Sequence, residues 1–238
     1  RNCYNISKEI ACKLENQNIS YEIFNIYDMN IEYCTACGFC DKTGYCKFKD
    51  DMKPMYSKFD KAKGTIVISP VHFDCISAKL KTLVDRTQAI YASKYILKKP
   101  SIDRLKKRVG MYIAIGGSTP YKTQFQGGQI VMDFFFKSIN TKLKYNFYMN
   151  NSDETSFIEN NSANKELNEL IENHKIRLSL NCDTSNSYDK NQLLSDIAKV
   201  SLIGGIIGVA LFGAPAFLTG AVIAFIGHIF VDSYNSTN

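Results

Sequence analysis

The sequence lacks an export signal, because its first residues, RNCYNISKEI, contain neither an apolar core nor a cleavage site. Eight cysteines without such a signal are typical of a reducing compartment, where clustered thiols bind metal or do redox work more often than they form disulfides. We therefore expect a cytoplasmic protein. The chain also lacks an initiating methionine and opens with what reads as the start of a helix, so we expect a fragment or a processed start.

A concentrated block of basic residues is also missing. The formal net charge is +6, but lysine and arginine are scattered, and their densest stretch, residues 98–108, is interrupted by Pro100 and apolar residues. We interpret that stretch as a solvated connection before a strand and expect no nucleic-acid partner. Histidine is scarce as well. His72 is a lone histidine in a predicted loop, and the sequence pattern indicates no catalytic partner for His174 or His228. The catalytic residues are therefore unknown from the sequence.

What the sequence does contain is a regular alternation of helical periodicity and short β-branched runs. The predicted strands are residues 20–27, 64–70, 109–117 and 144–150, and the predicted helices are residues 4–16, 50–59, 77–96, 127–140 and 162–178. This alternation predicts an α/β fold, a doubly wound parallel sheet with helices on both faces. In such a fold the ligand site lies at the carboxyl ends of the strands.

Two loops follow predicted strands at that edge. The first, S-P-V-H-F-D-C-I-S (69–77), has a proline that stiffens the exit, free backbone N–H groups for a flat polar ligand, and Phe73, which can stack on a ring. The second, G-G-S-T-P (116–120), lets the backbone approach a ligand closely because glycine has no Cβ. Either loop alone is equally consistent with a plain turn, but their placement at successive strand ends favours a ligand site.

The stretch YCTACGFCDKTGYC (33–46) places four cysteines in one loop. They are Cys34, Cys37, Cys40 and Cys46, with spacings of two, two and five intervening residues. Small residues between them allow the loop to wrap one iron–sulfur cubane, which is the interpretation we favour. A zinc site and free or disulfide-bonded thiols stay open as alternatives, although structural zinc more often uses two C-x2-C pairs separated by a longer insertion.

This cysteine loop, followed by S-P-V-H-F (69–73) and S-A-K-L-K-T-L-V-D-R (77–86), resembles the iron–sulfur flavoproteins, which belong to the flavodoxin-like, NADPH-dependent FMN reductase group. The ordered agreement covers residues 1–175. The resemblance implies a flavodoxin-like sheet, bound FMN and a [4Fe–4S] cluster on the four cysteines. It also implies a homo-oligomer in which the cluster of one subunit lies near the flavin of another.

The resemblance also assigns the flavin contacts. Ser69, Pro70, Val71, His72 and Phe73 would line the isoalloxazine ring, Gly116, Gly117 and Ser118 its far edge, and Arg1, Asn2 and Asn5 the FMN phosphate at the start of the first helix. The family opens with a strand and a Gly-Ser-Pro-Arg loop, and Arg1 matches the last residue of that loop. We therefore expect the first strand to be missing from this chain.

The C-terminal part departs from the rest. After a polar linker (181–191), residues 200–231 contain no Asp, Glu, Lys or Arg. Such a run predicts a hydrophobic helical segment over residues 192–238, either one kinked membrane span or a helical hairpin, and hence membrane contact through the C-terminus. A buried hairpin in an oligomer and a gene-fusion artefact are the alternatives. Residues 1–180 would form the flavodoxin-like FMN and iron–sulfur domain.

These features predict an FMN- and [4Fe–4S]-dependent oxidoreductase. It would transfer electrons between a reduced carrier, either ferredoxin or NAD(P)H, and an acceptor that the sequence does not name. The alternative is a membrane-anchored binding module whose degenerate flavodoxin-like domain has lost FMN.

Overall fold

A computed structural model describes residues 2–172, 221–226 and 229–232 of the chain. The strands are β1 (Tyr21–Asn25), β2 (Gly64–Pro70), β3 (Val109–Ile115), β4 (Lys142–Met149), β5 (Ala221–Ile226) and β6 (Ile229–Asp232). The helices are α1 (Asn2–Asn16), α2 (Phe39–Thr43), α3 (Met52–Lys61), α4 (Ala78–Arg86), α5 (Gln88–Tyr91), α6 (Gln126–Ser138) and α7 (Asn161–Glu172). The six strands form one sheet in the order β1-β5-β6-β2-β3-β4.

The strands β2, β3 and β4 are parallel neighbours, as the β-branched runs of the sequence predict. Both faces of these strands are covered, because one buried cluster contains residues of α1 and α7 and the other contains residues of α3, α4 and α6. Ile10 and Leu167 represent the first cluster, and Phe59, Leu80 and Phe135 the second. The predicted α/β fold with helices on both faces of a parallel sheet is thereby confirmed.

The prediction of one continuous helix over residues 77–96 is wrong, although the range is helical. The structure divides it into α4, α5 and a π-helical turn, Ala92–Ile96. At the first break, the Thr87 hydroxyl donates a hydrogen bond back to the carbonyl oxygen of Val84 at 2.7 Å, a competing contact that bends helices. The break matters for function because it ends α4 at Arg86.

The helical hairpin predicted in the C-terminal segment is not confirmed. The described parts of that segment, AVIAFI and IFVD, are strands, and such β-branched and aromatic sequences favour strands. The strand β6 runs parallel to both β1 and β2, and lies between them in the sheet. In a flavodoxin-like strand order this is the place of the first strand, the one we expected to be missing.

The linker predicted at residues 181–191 and most of the predicted hydrophobic segment, residues 192–220, lie outside the described residues. Every helix in the described part of the chain is too short or too polar to cross a membrane.

Candidate functional site

The four cysteines of the loop line one cavity of about 380 Å³. Cys34 and Cys37 are exposed, whereas Cys40 and Cys46 are partly buried. The wall of the same cavity includes Arg86, the last residue of α4. The fold thus brings together the four thiols that the sequence singles out, and adds a buried cation to them.

Two glycines in the left-handed region give this loop its shape. Gly38 (φ 68°) precedes α2 and Gly44 (φ 78°) follows it, and the Gly44 N–H donates to the carbonyl oxygen of Cys40 at 2.8 Å. A side chain at either position would be strained, because L-residues rarely adopt such a φ. The short helix turns Cys40 toward the rest of the loop, where it lies within electrostatic reach of Cys34 and Cys46.

The thiols in this loop have different environments. A hydrogen bond from the Phe39 backbone N–H lowers the pKa of the exposed Cys37 thiol, and Lys47 acts in the same direction. Burial, reinforced by the Asp41 carboxylate, raises the pKa of Cys40. Because metals bind the thiolate, the surroundings of Cys37 favour the form that a metal needs, and those of Cys40 disfavour it in the absence of a bound cation.

Across the described residues, no three His, Cys, Asp or Glu side chains are arranged to hold a metal ion. The four thiols nevertheless line the same cavity.

A second cavity, of about 420 Å³, is lined by the last residues of β2 and β3 and the loops that follow them. Its lining includes eight of the predicted flavin contacts, Asn2, Pro70, Val71, His72, Phe73, Gly116, Gly117 and Ser118. The other three lie elsewhere. Ser69 is buried, with its hydroxyl oxygen 3.4 Å from the Ser77 N–H; Asn5 lines a separate cavity; and Arg1 lies outside the described residues.

The loop after β2 is a tight hairpin in which His72 and Cys75 exchange backbone hydrogen bonds of 2.9 and 3.0 Å. Between them, Phe73 (φ 50°) and Asp74 (φ 58°) are both left-handed, the pattern of a type I′ turn. A left-handed phenylalanine costs about 1–2 kcal/mol. The Phe73 side chain is also fully exposed, and strain at an exposed aromatic residue beside a cavity is typical of a binding site.

Asp74 holds this hairpin against the start of α6. Its carboxylate accepts hydrogen bonds from the Tyr121 hydroxyl and from Thr123 Oγ1, the latter at 2.8 Å. Its carbonyl oxygen accepts one from the Gly128 N–H at 3.1 Å. A Cβ at Gly127 would lie 2.5 Å from the same carbonyl oxygen, so this close approach requires glycine.

Gln124 is a lining residue that sequence reasoning missed. Its side chain is buried in the cavity wall, and its Nε2 donates to the Ser118 carbonyl and hydroxyl oxygens. Its own carbonyl oxygen, Oε1, is buried without a hydrogen-bond partner among the described residues. Buried polar atoms are rarely left unpaired, so Oε1 suits a donor on a bound ligand, such as the imide N–H of a flavin.

Gly116 makes room for this side chain, because a Cβ there would lie 2.5 Å from Gln124 Nε2. Together, the free acceptor, the glycine backbone and the start of α1 at Asn2 fit a flat ring system with an attached phosphate.

The profile of the NADPH-dependent FMN reductases matches residues 1–131, more than half of the chain. The chain belongs to this family. The matched range of this chain contains the cysteine loop, the hairpin after β2 and the Gly116–Ser118 loop.

Several curated relatives carry the name iron–sulfur flavoprotein. An iron–sulfur flavoprotein of Archaeoglobus fulgidus is 34% identical over 104 residues, which are 44% of this chain and 50% of the relative. One of Methanocaldococcus jannaschii is 34% identical over 128 residues, 51% of this chain and 58% of the relative. The resemblance found in the sequence is confirmed, although this chain spans only about half the length of these relatives.

Among solved structures, an FMN-dependent NADH-azoreductase from Bacillus anthracis, in complex with FMN, is similar with a TM-score of 0.44 and 15% identity. The similarity covers 62% of this chain and 77% of that one.

Proposed function

We propose that this chain is an oxidoreductase that binds FMN at the ends of β2 and β3 and a [4Fe–4S] cluster on Cys34, Cys37, Cys40 and Cys46. It would transfer electrons between a reduced carrier, either ferredoxin or NAD(P)H, and an acceptor. The observation that carries the proposal is that one short helix, α4, joins the two cavities. It starts just after the hairpin at the strand ends and finishes at Arg86 in the cysteine cavity.

The arrangement of the four cysteines in a single loop, without two C-x2-C pairs separated by a long insertion, supports a cluster over a zinc ion. A structural zinc gathers four ligands about one point, at about 2.3 Å for sulfur. A cubane instead bonds each thiolate to a different iron, so its ligands stand further apart. All four cysteines lie in one loop and line one cavity, which suits a ligand set that wraps one cubane.

The residues of the strand-end cavity support a flavin. Bound FMN exchanges hydride or single electrons while an iron–sulfur cluster passes single electrons, so the pair suits conversion between two-electron donors and one-electron carriers. Gln124 would orient the ring through its free carbonyl oxygen, and the Gly116–Gly117 backbone would admit the ring edge. The first turn of α1 would hold the phosphate on its N–H groups.

The helix α4 leads from the hairpin beside the strand-end cavity to the cysteine cavity. Its nine residues span about 13 Å at 1.5 Å per residue. Phe73 at one site and Cys34 and Cys37 at the other are exposed. We propose that a second copy of the chain covers these exposed edges, as the family resemblance implies.

Anaerobic purification with iron, acid-labile sulfide, zinc and flavin quantified per chain tests the proposal. We expect about four iron, four sulfide and one FMN per chain. Zinc in place of iron would refute the cluster, and a colourless protein would favour the binding-module alternative. Bleaching of the flavin absorbance by NADPH, NADH or reduced ferredoxin then identifies the donor. Solubility with and without residues 192–238, in buffer and in detergent, tests membrane contact separately.

A further inference from the structure

Arg86 is the largest fully buried side chain in the described part of the protein, with 1% of its surface exposed. It ends α4 and lies in the wall of the cavity that the four cysteines share. The Phe48 ring covers its guanidinium, with 5.0 Å between the guanidinium carbon and the ring centroid. A buried cation beside four thiols is costly unless its hydrogen bonds are satisfied, so the partner of each nitrogen matters.

Two of the three guanidinium nitrogens of Arg86 have partners. Nη1 donates to Asp50 Oδ2 and to the Glu32 carbonyl oxygen, both at 2.6 Å, and Nη2 donates to Asp50 Oδ1 at 3.0 Å. Asp50 in turn accepts hydrogen bonds from the backbone N–H groups of Glu32 and Met52 at 3.0 and 3.2 Å. Because Glu32 precedes the cysteine loop and Asp50 follows it, Arg86 clamps the base of the loop.

The third nitrogen is different. Arg86 Nε is buried and has no hydrogen-bond partner among the described residues. The charge of Arg86 is already balanced by Asp50 at 2.6 Å, with 5% of the Asp50 side chain exposed. The Asp50–Arg86 pair therefore brings to the cavity wall an unpaired N–H donor rather than a net positive charge. Native proteins rarely leave such a donor unpaired, and Arg86, unlike other buried arginines of the described chain, lines the cavity of the four thiols, which can accept a hydrogen bond.

We propose that Arg86 is a positioning residue whose Nε–H donates a hydrogen bond to a sulfur of the iron–sulfur cluster or of its cysteine ligands. The inference rests on the proposed cluster. A hydrogen bond to sulfur stabilises the more negative, reduced state, and it therefore raises the reduction potential of the cluster. The clamp on Glu32 and Asp50 keeps Nε–H at a fixed place relative to the loop.

The chain supplies a matched control in Arg108. Its side chain is equally buried, it forms a 2.6 Å ion pair with Asp60, and its Nε also has no partner among the described residues. It lines a different cavity, beside β3 and away from the cysteine loop. The two arginines thus share burial and ion pairing and differ in their access to the cysteines.

The test uses the full chain, purified anaerobically, with iron and sulfide measured first so that a failure of the proposed cluster is seen before any variant is compared. Arg86→Lys keeps a cation opposite Asp50 but removes Nε–H. We expect a lower reduction potential of the cluster at unchanged iron content, whereas Arg108→Lys leaves the potential unchanged. An iron-loaded Arg86→Lys protein with the wild-type potential would overturn the proposal.

A second measurement needs no variant and therefore survives a folding defect in Arg86→Lys. Wild-type protein labelled with 15N-arginine is reduced with dithionite and studied by pulsed electron paramagnetic resonance. We expect a 15N coupling to the reduced cluster that persists in Arg108→Lys. A loaded, reduced cluster without any arginine 15N coupling would refute the hydrogen bond.

Discussion

Gln124 Nε2 donates to Ser118 twice, to its carbonyl oxygen at 3.3 Å and to its hydroxyl oxygen at 3.1 Å. These two hydrogen bonds fix which end of the amide is the donor, and so they leave the carbonyl oxygen Oε1 without a partner among the described residues, in a side chain of the strand-end cavity wall. The loop after β3 and the segment that leads into α6 are thereby joined beside the place proposed for the flavin.

Replacing Gln124 by leucine removes this acceptor while keeping the volume of the side chain. We expect the FMN dissociation constant to rise roughly tenfold, which corresponds to about 1.4 kcal/mol. Titration of the flavin-free protein with FMN, followed by quenching of flavin fluorescence, measures the change. The control is Gln126→Leu, the same substitution at an exposed residue two positions later. Equal FMN affinity in the two variants would show that Oε1 makes no contact with the flavin.

The cysteine loop is tested by Cys37→Ser. Cys37 carries the thiol whose pKa is lowered by the Phe39 N–H, and serine offers a far poorer ligand for iron. We expect iron and sulfide per chain to fall to less than about a quarter of the wild-type content, while bound FMN is retained. Cys12→Ser is the control, because Cys12 is an exposed thiol on α1 outside the cysteine cavity. Full iron content in Cys37→Ser would remove this residue from the ligand set.

Local patterns in the sequence are sufficient to predict much of the fold. The run GTIVISP predicts a buried strand over residues 64–70, and the structure has β2 at Gly64–Pro70, because a short β-branched run ended by proline has few alternatives. The spacing of the four cysteines likewise leads to one cavity, since all of them lie in a single loop.

The features that could not be predicted from the sequence depend on contacts between residues that are distant in the chain. Arg86 reaches Asp50 across 36 positions, and no periodicity indicates that a helix end will meet the cysteine loop. The role of Gln124 depends in the same way on how two loops meet. The apolar C-terminal run predicts a helical segment over residues 192–238, but the structure has the strands β5 and β6 in it. The prediction fails there because hydrophobicity alone does not distinguish a buried helix from a buried strand.

The hairpin after β2 is tested by Gly127→Ala. The added Cβ would lie 2.5 Å from the Asp74 carbonyl oxygen, so it pushes the hairpin that carries Phe73 away from α6. Gly127 is the second residue of α6, so alanine gains less there than the roughly 1 kcal/mol it gains over glycine in a helix interior, whereas overpacking costs about 1–3 kcal/mol, and we expect a net loss of stability.

The same displacement should weaken FMN binding in Gly127→Ala severalfold. Titration with FMN and thermal unfolding measure the two effects, and Gln126→Ala, one residue earlier on the exposed side, is the control. A variant with wild-type FMN affinity would mean that the hairpin does not contact the flavin.

The ion pair of Asp50 and Arg86 predicts a pH dependence of stability. Burial alone would raise the pKa of Asp50, but hydrogen bonds from Arg86 and from the Glu32 N–H outweigh it, and the pKa lies below its ordinary value of 3.8. A carboxylate with a lowered pKa stabilises the folded state above its unfolded pKa, and that stabilisation is lost as the pH falls toward the folded pKa. Wild-type protein should therefore lose unfolding free energy below about pH 4 more steeply than Asp50→Asn does.

At neutral pH, Asp50→Asn leaves the Arg86 cation buried without its partner, which should cost about 3–5 kcal/mol of unfolding free energy. Urea unfolding followed by circular dichroism from about pH 3 to about pH 7 covers the window in which the carboxylate titrates. Iron content is measured at each pH in both proteins, so that acid loss of a bound cluster is separated from the titration of Asp50. Asp51→Asn is the control, because Asp51 is exposed and makes no ion pair with any described residue. Parallel curves for wild type and Asp50→Asn would show that the Asp50 carboxylate contributes nothing to stability through Arg86.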